Sequence, residues 1–177
     1  VANHTGCDNV WTAEHPEWYV RDSTGNFVSP YDWSDVYKLD YTNNDMRNAM
    51  NEALKFWVKE CGIDGYRCDV AYEVPTDFWN NARKELDAIK PVFMLAESET
   101  PELLQEAFDM DYSWELMHLM NAVAKREKNG ADIYTYLHKV DTMNCPDAYK
   151  MNLITNHDEN SWNGTEFERL GNGANTF

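Results

Sequence analysis

The chain has 177 residues, 43% of them hydrophobic and 14% aromatic, which is enough apolar surface for a folded domain and excludes an intrinsically disordered chain. Its net charge of −16 argues against nucleic acid as a ligand, because binders of nucleic acid neutralise phosphates with lysine and arginine. The sequence has no run of about 18 apolar residues, so no membrane span is predicted.

The first predicted region is irregular. Residues 5–43 are rich in Asn, Asp, Ser, Pro and aromatic residues, and they show no sustained hydrophobic period. Residues 22–26 and 29–30 have the composition of turns. Because long ordered loops usually serve function, we predict that this segment is a functional insertion.

Helices are predicted from apolar residues that recur every three or four positions. The segments with this pattern are 44–61, 76–90, a stretch that opens at residue 101, 113–128 and 131–141. Asn43 or Asn44 is suited to cap the first helix, and Gly62 is suited to end it. Thr76 is predicted to cap the second.

Strands are predicted between these helices. Residues 63–68, 91–96 and 149–155 form short apolar runs, and 107–110 is a brief further candidate. Strands that alternate with helices are typical of an α/β fold with a parallel sheet.

Three of the strand candidates are followed by a carboxylate: Asp69, Glu97 and Asp158. Parallel α/β folds keep their active sites at the carboxyl ends of their strands, so we expect the three acids to converge. Arg67 precedes Asp69 by two residues on the same strand face and can hold that carboxylate ionised. Alone, such an acid is more often a helix cap, and His157 is more often structural. The repetition at three strand ends favours an active site.

Two carboxylates in different environments are what glycoside hydrolysis requires. One must be ionised to attack the anomeric carbon of the sugar, and the other must be protonated to release the leaving oxygen. The residues therefore indicate a glycosidase acting on a neutral sugar, which also suits the acidic chain.

The same segments resemble signature regions of the α-amylase family of glycoside hydrolases. The matching segments are 1–4 (VANH), 36–43 (VYKLDYTN), 65–71 (GYRCDVA), 94–97 (MLAE) and 153–158 (LITNHD). Their order and spacing fit the family along the whole chain. The resemblance implies a retaining enzyme that cleaves α-glucosidic bonds of starch-like α-glucans through a covalent glycosyl-enzyme intermediate.

The resemblance also implies a role for each acid. Asp69 would be the nucleophile, Glu97 the general acid/base, and Asp158 would hold sugar hydroxyls and stabilise the transition state. The residues implied to line the same substrate subsite are His4, Arg67 and His157. Asn3 stands where many members use an asparagine side chain to bind a structural calcium.

The implied fold is part of a TIM (β/α)8 barrel with an irregular B-domain-like insertion after the third strand. Residues 1–4 would end the third barrel strand, 5–43 would form the insertion, and 44–177 would run from the helix before strand four to the loop after strand seven. Both ends are then expected to be cut ends of a longer protein, and this piece alone is expected to be inactive. No signal peptide is visible, which leaves the compartment unassigned.

Some positions depart from the family pattern. Tyr72 and Glu73 stand where many amylases have Lys-His, and the backbone of that histidine often helps to bind calcium. Lys38 and Asp40 stand where Asp and Asn are usual. The changes after the nucleophile affect the leaving-group side of the cleft. A neopullulanase-like or debranching enzyme and a transglycosylase of the same family therefore stay open as alternatives. A non-catalytic relative that acts as a binding domain is a third, although such relatives typically lose one of the acids.

Overall fold

The computed structural model describes residues 2–142, 145 and 147–177. They divide into two compact units, Val1–Asp109 and Met110–Phe177. The first residue of the predicted 1–4 segment lies outside the described part. Among the residues described, no helix has both the length and the apolar character needed to cross a membrane.

The first unit combines antiparallel strands, parallel strands and helices. In chain order these are β1 (His4–Gly6), α1 (Val10–Glu14), β2 (Val36–Lys38), α2 (Asn44–Cys61), β3 (Gly65–Cys68), α3 (Thr76–Asp87) and β4 (Phe93–Ala96), with 3-10 turns at Pro16–Trp18, Ala71–Glu73 and Pro101–Leu104. The β1 and β2 strands pair antiparallel, with His4 opposite Lys38. The described strand therefore begins at His4, the last residue of the segment predicted to end a strand, and runs to Gly6.

The β3 and β4 strands pair in parallel, as predicted, with Gly65 opposite Phe93 and Cys68 opposite Ala96. The register depends on Gly65, because a Cβ atom there would lie 1.9 Å from the carbonyl oxygen of Phe93. Only a glycine permits this approach of the two backbones. Gly65 thus fixes the register of the two strands, and the register determines which residues lie next to each other at the strand ends.

The α2 helix has the predicted ends, whereas the predicted cap of α3 is wrong. Asn43 Oδ1 accepts the N–H groups of Asp45 and Met46, and Gly62 ends α2 in the left-handed conformation at φ 69°. Thr76 is already the first residue of α3 and caps nothing. The carbonyl of Pro75 accepts the first helical hydrogen bonds, so the helix begins one residue earlier than the side-chain pattern suggested.

The apolar faces of α2 and α3 and the strands supply buried residues of the first unit. Those on α2 are Met46, Met50 and Val58, those on α3 are Phe78, Trp79, Ala82 and Leu86, and those on β4 are Met94 and Ala96. The α3 helix buries most of its apolar face, whereas α2 buries only part of it and leaves Trp57 52% exposed. Burial of these apolar faces is the expected origin of the stability of both helices.

The second unit consists of β5 (Met110–Tyr112), α4 (Trp114–Ala124), α5 (Gly130–Asp141), β6 (Tyr149–Met151), α6 (His157–Trp162) and α7 (Glu166–Leu170). The β5 and β6 strands are parallel, with Asp111 opposite Lys150. A buried cluster of Leu116, Met120, Tyr136 and Leu170 joins α4, α5 and α7.

The strands predicted at 63–68 and 91–96 begin two residues later than expected, at Gly65 and Phe93, and the other two predicted strands also need correction. The brief strand expected at 107–110 lies at Met110–Tyr112, because the backbone turns at residue 108, where the Phe108 N–H donates to the Leu103 carbonyl oxygen. The last strand ends at Met151 rather than at residue 155. The segment after it forms α6 and α7, two short polar helices that hydrophobic periodicity did not reveal.

Candidate active site

Asp69 and Glu97 follow directly from neighbouring parallel strands. Since Cys68 is paired with Ala96 at the ends of β3 and β4, the two acids leave the sheet side by side. Their side chains are largely enclosed, with 25% of Asp69 and 15% of Glu97 exposed. The predicted convergence is confirmed for this pair.

One guanidinium joins the two acids. Arg67 Nη1 contacts Asp69 Oδ1, and Arg67 Nη2 lies 2.6 Å from Glu97 Oε1. The planar fork of arginine suits two carboxylates at once. Arg67 therefore balances the charge of both acids rather than of Asp69 alone, which is more than the sequence predicted.

Backbone hydrogen bonds hold Glu97 against the segment that carries Asp69. The Val70 N–H donates to Glu97 Oε2 at 2.9 Å, and the Glu97 N–H donates to the Cys68 carbonyl oxygen at 2.9 Å. Val70 has φ 45° and ψ 46°, the left-handed region that a β-branched residue rarely adopts. Such strain costs roughly 1–3 kcal/mol and persists where the surroundings enforce it. Here it aims an N–H at a candidate catalytic carboxylate.

Burial is the main cause that raises the pKa of Glu97 above its usual value. The Val70 N–H and the Arg67 guanidinium act in the opposite direction, while the charge and hydrogen bond of Asp69 raise the pKa further. The net shift is upward, so Glu97 is suited to keep a proton beside an anionic neighbour. A general acid needs that property.

His4 lies in the same unit, at the start of β1. Its ring packs edge-on against Trp33, with the ring centroids 5.4 Å apart. Burial lowers the pKa of His4, and the negative charge of Asp69 partly opposes this shift. The neutral ring can offer a hydrogen bond to a sugar hydroxyl.

The irregular segment also reaches the turn after Asp69. Glu73 accepts a hydrogen bond from the Tyr31 hydroxyl at 2.6 Å, and Lys38 Nζ lies 2.9 Å from the other carboxylate oxygen. The Tyr31 hydrogen bond, followed by that of Lys38, lowers the pKa of Glu73. Tyr72 and Tyr31 place their hydroxyls 3.3 Å apart, and both rings are exposed. Two exposed aromatic rings thus lie beside the Glu73 carboxylate.

His157 and Asp158 belong to the second unit, where they form the first turn of α6. Asn156 caps this helix by accepting the Glu159 N–H at 2.7 Å. His157 Nε2 lies 3.3 Å from Asp158 Oδ2, and 73% of the His157 side chain and 49% of the Asp158 side chain are exposed. The convergence of Asp158 with the other two acids stays a prediction.

The calcium expectation rests on Asn3. Its side chain is buried, and within the described residues its amide oxygen and nitrogen have no hydrogen-bond partner. Calcium takes six to eight oxygen ligands, usually including carboxylates. In the described part of the chain, no group of three or more His, Cys, Asp or Glu residues is arranged to hold a metal. Asn3 therefore offers one oxygen without the rest of a set.

Comparison with known proteins agrees with this geometry. The family described as the alpha amylase catalytic domain matches residues 2–169. The chain belongs to the α-amylase family. Members of this family commonly bind calcium, but the donor set described above does not by itself form such a site.

Relatives within the α-amylase family include enzymes with several names. A maltogenic alpha-amylase of Bacillus acidopullulyticus is 31% identical over 133 residues, which are 71% of this chain and 22% of that protein. A cyclomaltodextrinase of Thermoanaerobacter pseudethanolicus is 27% identical over 128 residues, 68% of this chain and 22% of that protein. The chain thus spans about a fifth of the length of these curated relatives.

The solved structures support the barrel fold. A noncanonic maltogenic alpha-amylase from Thermotoga neapolitana superposes with a TM-score of 0.82 at 36% identity, covering 89% of this chain and 37% of that one. The expected α/β fold, part of the barrel of α-amylase-family enzymes, is therefore confirmed.

The sequence did not predict the residues that support the candidate site by fixing the backbone around Asp69 and Glu97. The left-handed Val70 has no signature in the sequence. Trp79 Nε1 donates to the Ala71 carbonyl oxygen at 2.9 Å and so anchors the turn after Asp69, but its position on α3 indicated only core packing. The Tyr31 and Lys38 contacts to Glu73 join residues more than thirty positions apart, which periodicity cannot relate.

Proposed function

We propose that this protein is a retaining glycoside hydrolase that cleaves α-glucosidic bonds of starch-like α-glucans. One observation carries the proposal: Arg67 joins two enclosed carboxylates, Asp69 and Glu97, at the ends of adjacent parallel strands. Family membership and the names of the relatives support the substrate class.

In the proposed reaction, Asp69 attacks the anomeric carbon while Glu97 gives its proton to the leaving glycosidic oxygen. The bond to the leaving sugar breaks as the bond to Asp69 forms, which yields a covalent glycosyl-enzyme. Glu97, now a carboxylate, takes a proton from water, and the resulting attack frees the sugar and restores Asp69. Two inversions give net retention of the α configuration.

The remaining candidate residues would bind and orient the sugar. Arg67 neutralises Asp69, His4 offers a ring nitrogen, and His157 and Asp158 contribute from the first turn of α6. We assign residues 5–43 to the B-domain-like insertion and 44–177 to the barrel segment that carries the acids. Asp158 would hold sugar hydroxyls most tightly as the ring flattens in the transition state, so it would act on the rate more than on binding.

The residues after Asp69 favour a second candidate function with a different bond specificity. Tyr72 and Glu73 replace the usual Lys-His pair, and Glu73 is engaged by Tyr31 and Lys38. This changes the leaving-group side of the cleft, and relatives bear the names maltogenic amylase and cyclomaltodextrinase. A neopullulanase-like or debranching enzyme, or a transglycosylase, is the alternative, and analysis of the products from starch, pullulan and cyclodextrin would distinguish it.

The catalytic roles are tested with the full-length protein and an α-glucosyl fluoride. This leaving group departs with little protonation, so Glu97→Gln should still form the glycosyl-enzyme. Added azide should then restore turnover, and NMR should identify an α-glycosyl azide.

The Asp69→Asn variant is the contrasting arm. It cannot form the covalent intermediate, so azide should give no α-glycosyl azide, whereas direct attack of azide would give the β anomer. Failure of azide to accelerate Glu97→Gln, together with an α-glycosyl azide from Asp69→Asn, would refute the assignment of the two roles.

A further inference from the structure

A clasp made of Tyr31, Lys38 and Glu73 joins the irregular segment 5–43 to the turn after Asp69. Both carboxylate oxygens of Glu73 are used: Oε1 accepts from Tyr31 at 2.6 Å, and Oε2 lies 2.9 Å from Lys38 Nζ. The partners are 42 and 35 positions away in the chain. The clasp therefore ties two distant segments at one carboxylate.

Both ends of the clasp are rooted in regular structure. Lys38 ends β2, where it is paired with His4, and Glu73 ends the 3-10 turn Ala71–Glu73. The two side chains are 35% and 21% exposed, so salt screens this ion pair less than an open surface pair. The same turn supplies the Ala71 N–H that donates to the Glu97 carbonyl oxygen at 3.2 Å.

The clasp residues include two positions where the chain departs from its family. Glu73 replaces a histidine whose backbone often helps to bind calcium, and Lys38 replaces an aspartate. An ammonium at Lys38 supplies positive charge where the family pattern has a carboxylate, and it repels a second cation. Both carboxylate oxygens of Glu73 are already engaged, and the candidate calcium ligand Asn3 offers a single side-chain oxygen. This donor set does not fit calcium, which needs six or more oxygens.

We propose that the Lys38 ammonium replaces a structural divalent cation at this junction. It holds the irregular segment against the turn after Asp69 by an internal ion pair, with Tyr31 completing the contacts of Glu73. The turn that carries Val70 and Ala71 to Glu97 is thereby fixed without a metal. The proposal concerns stability and does not depend on the substrate.

The test uses thermal unfolding and limited proteolysis of the full-length protein, with EGTA or with added calcium chloride. The wild-type rate of cleavage within residues 5–43 should be the same in both conditions, because the ion pair rather than calcium holds this segment. Lys38→Met should lower the melting temperature by ~2–4 °C and speed cleavage within residues 5–43. Lys38→Arg should keep most of the stability, since it keeps the charge.

Lys84→Met is the matched control, because Lys84 is exposed and reaches Glu106 only at 3.5 Å. It should behave like the wild type. If Lys38→Met fails to fold, Glu73→Gln provides a second test, because it keeps the shape of the side chain and removes its charge. This variant should show the same loss of melting temperature and the same faster cleavage within residues 5–43. Wild-type cleavage within residues 5–43 that becomes faster with EGTA and slows again with calcium would overturn the proposal. So would a Lys38→Met or Glu73→Gln variant indistinguishable from Lys84→Met.

Discussion

The two regions that carry the candidate acids differ in how they are held. Asp69 and Glu97 leave adjacent strands, share one arginine, and are locked by backbone hydrogen bonds from Val70 and Ala71. The other region follows β6, enters a short polar helix, and leaves half of the Asp158 side chain exposed. The sequence signals of the two regions are alike, namely a short apolar run and then an acid.

The comparison shows that placing an acid at a strand end is different from fixing its side chain for catalysis. A strand end places an acid at the right edge of a sheet, but it is the surrounding contacts that fix its orientation and charge. The first region has both. In the second region, a side chain of α7 holds the backbone around α6. Buried Arg169 donates to the Ile154 carbonyl oxygen at 2.8 Å and to the Gly164 carbonyl oxygen at 3.1 Å.

The largest expected effect is on catalysis. Asp69→Asn and Glu97→Gln should each lower activity on starch by at least ~100-fold, because a lost general acid alone costs that much or more. Asp158→Asn should lower kcat while KM changes little, since its contacts strengthen in the transition state. Steady-state kinetics of the full-length variants would check this. Near wild-type activity of Asp69→Asn would show that the contacts around Asp69 do not serve catalysis.

The next effect breaks the register that aligns the first region. Gly65→Ala should destabilise the protein by ~1–3 kcal/mol or more, because the new methyl group collides with the Phe93 carbonyl oxygen and the strands must separate. Gly130→Ala is the matched control: Gly130 has open space around its Cβ position, and this change should be neutral or slightly stabilising. Equal melting temperatures for the two variants would contradict the role of Gly65.

A third variant loosens the second region alone. Arg169→Met keeps much of the buried volume but leaves the Ile154 and Gly164 carbonyl oxygens without this donor, a cost of roughly 1–3 kcal/mol. Hydrogen exchange should rise around residues 154–160 and stay unchanged at Asp69 and Glu97. Lys125→Met, on an exposed side chain, should alter neither. Protection that is unaffected by Arg169→Met would show that other contacts hold this segment.

The smallest effect is a pH dependence of stability from Glu97. Its folded pKa is raised by burial, so its stabilising contribution is complete below the unfolded pKa and is lost as pH rises through the folded pKa. Melting temperatures measured across this interval should fall with pH in the wild type more than in Glu97→Gln. The exposed neighbour Glu99→Gln should follow the wild type. An identical slope in Glu97→Gln would argue against the raised pKa.

Local signals in the sequence predicted much of the framework. The Asn43 cap, the Gly62 stop and the apolar strands before Asp69 and Glu97 each act over a few residues, so the pattern and the structure agree. The polar helices α6 and α7 were not predicted, because hydrophobic periodicity is weak in their sequences. The spacing of Thr165 and Glu168, which form a capping box at the start of α7, was the signal that could have revealed that helix.

The details of the site depended on long-range and backbone geometry. The acids and Arg67 were predicted from strand ends, but the bridging of both acids by one guanidinium was not. The strained Val70, the Trp79 anchor and the clasp at Glu73 arise only when distant segments fold together. Residue types along a chain do not encode such contacts, whereas they do encode caps and apolar faces.

The central claim is that Asp69 is the residue that becomes covalently linked to the sugar. The most direct measurement is peptide mass mapping of full-length Glu97→Gln after reaction with an α-glucosyl fluoride and rapid acid quenching. We expect one added glucosyl unit on the peptide that contains Asp69, and none after the same treatment of Asp69→Asn. A glucosyl unit on another residue, or no adduct together with a product of inverted configuration, would contradict the account.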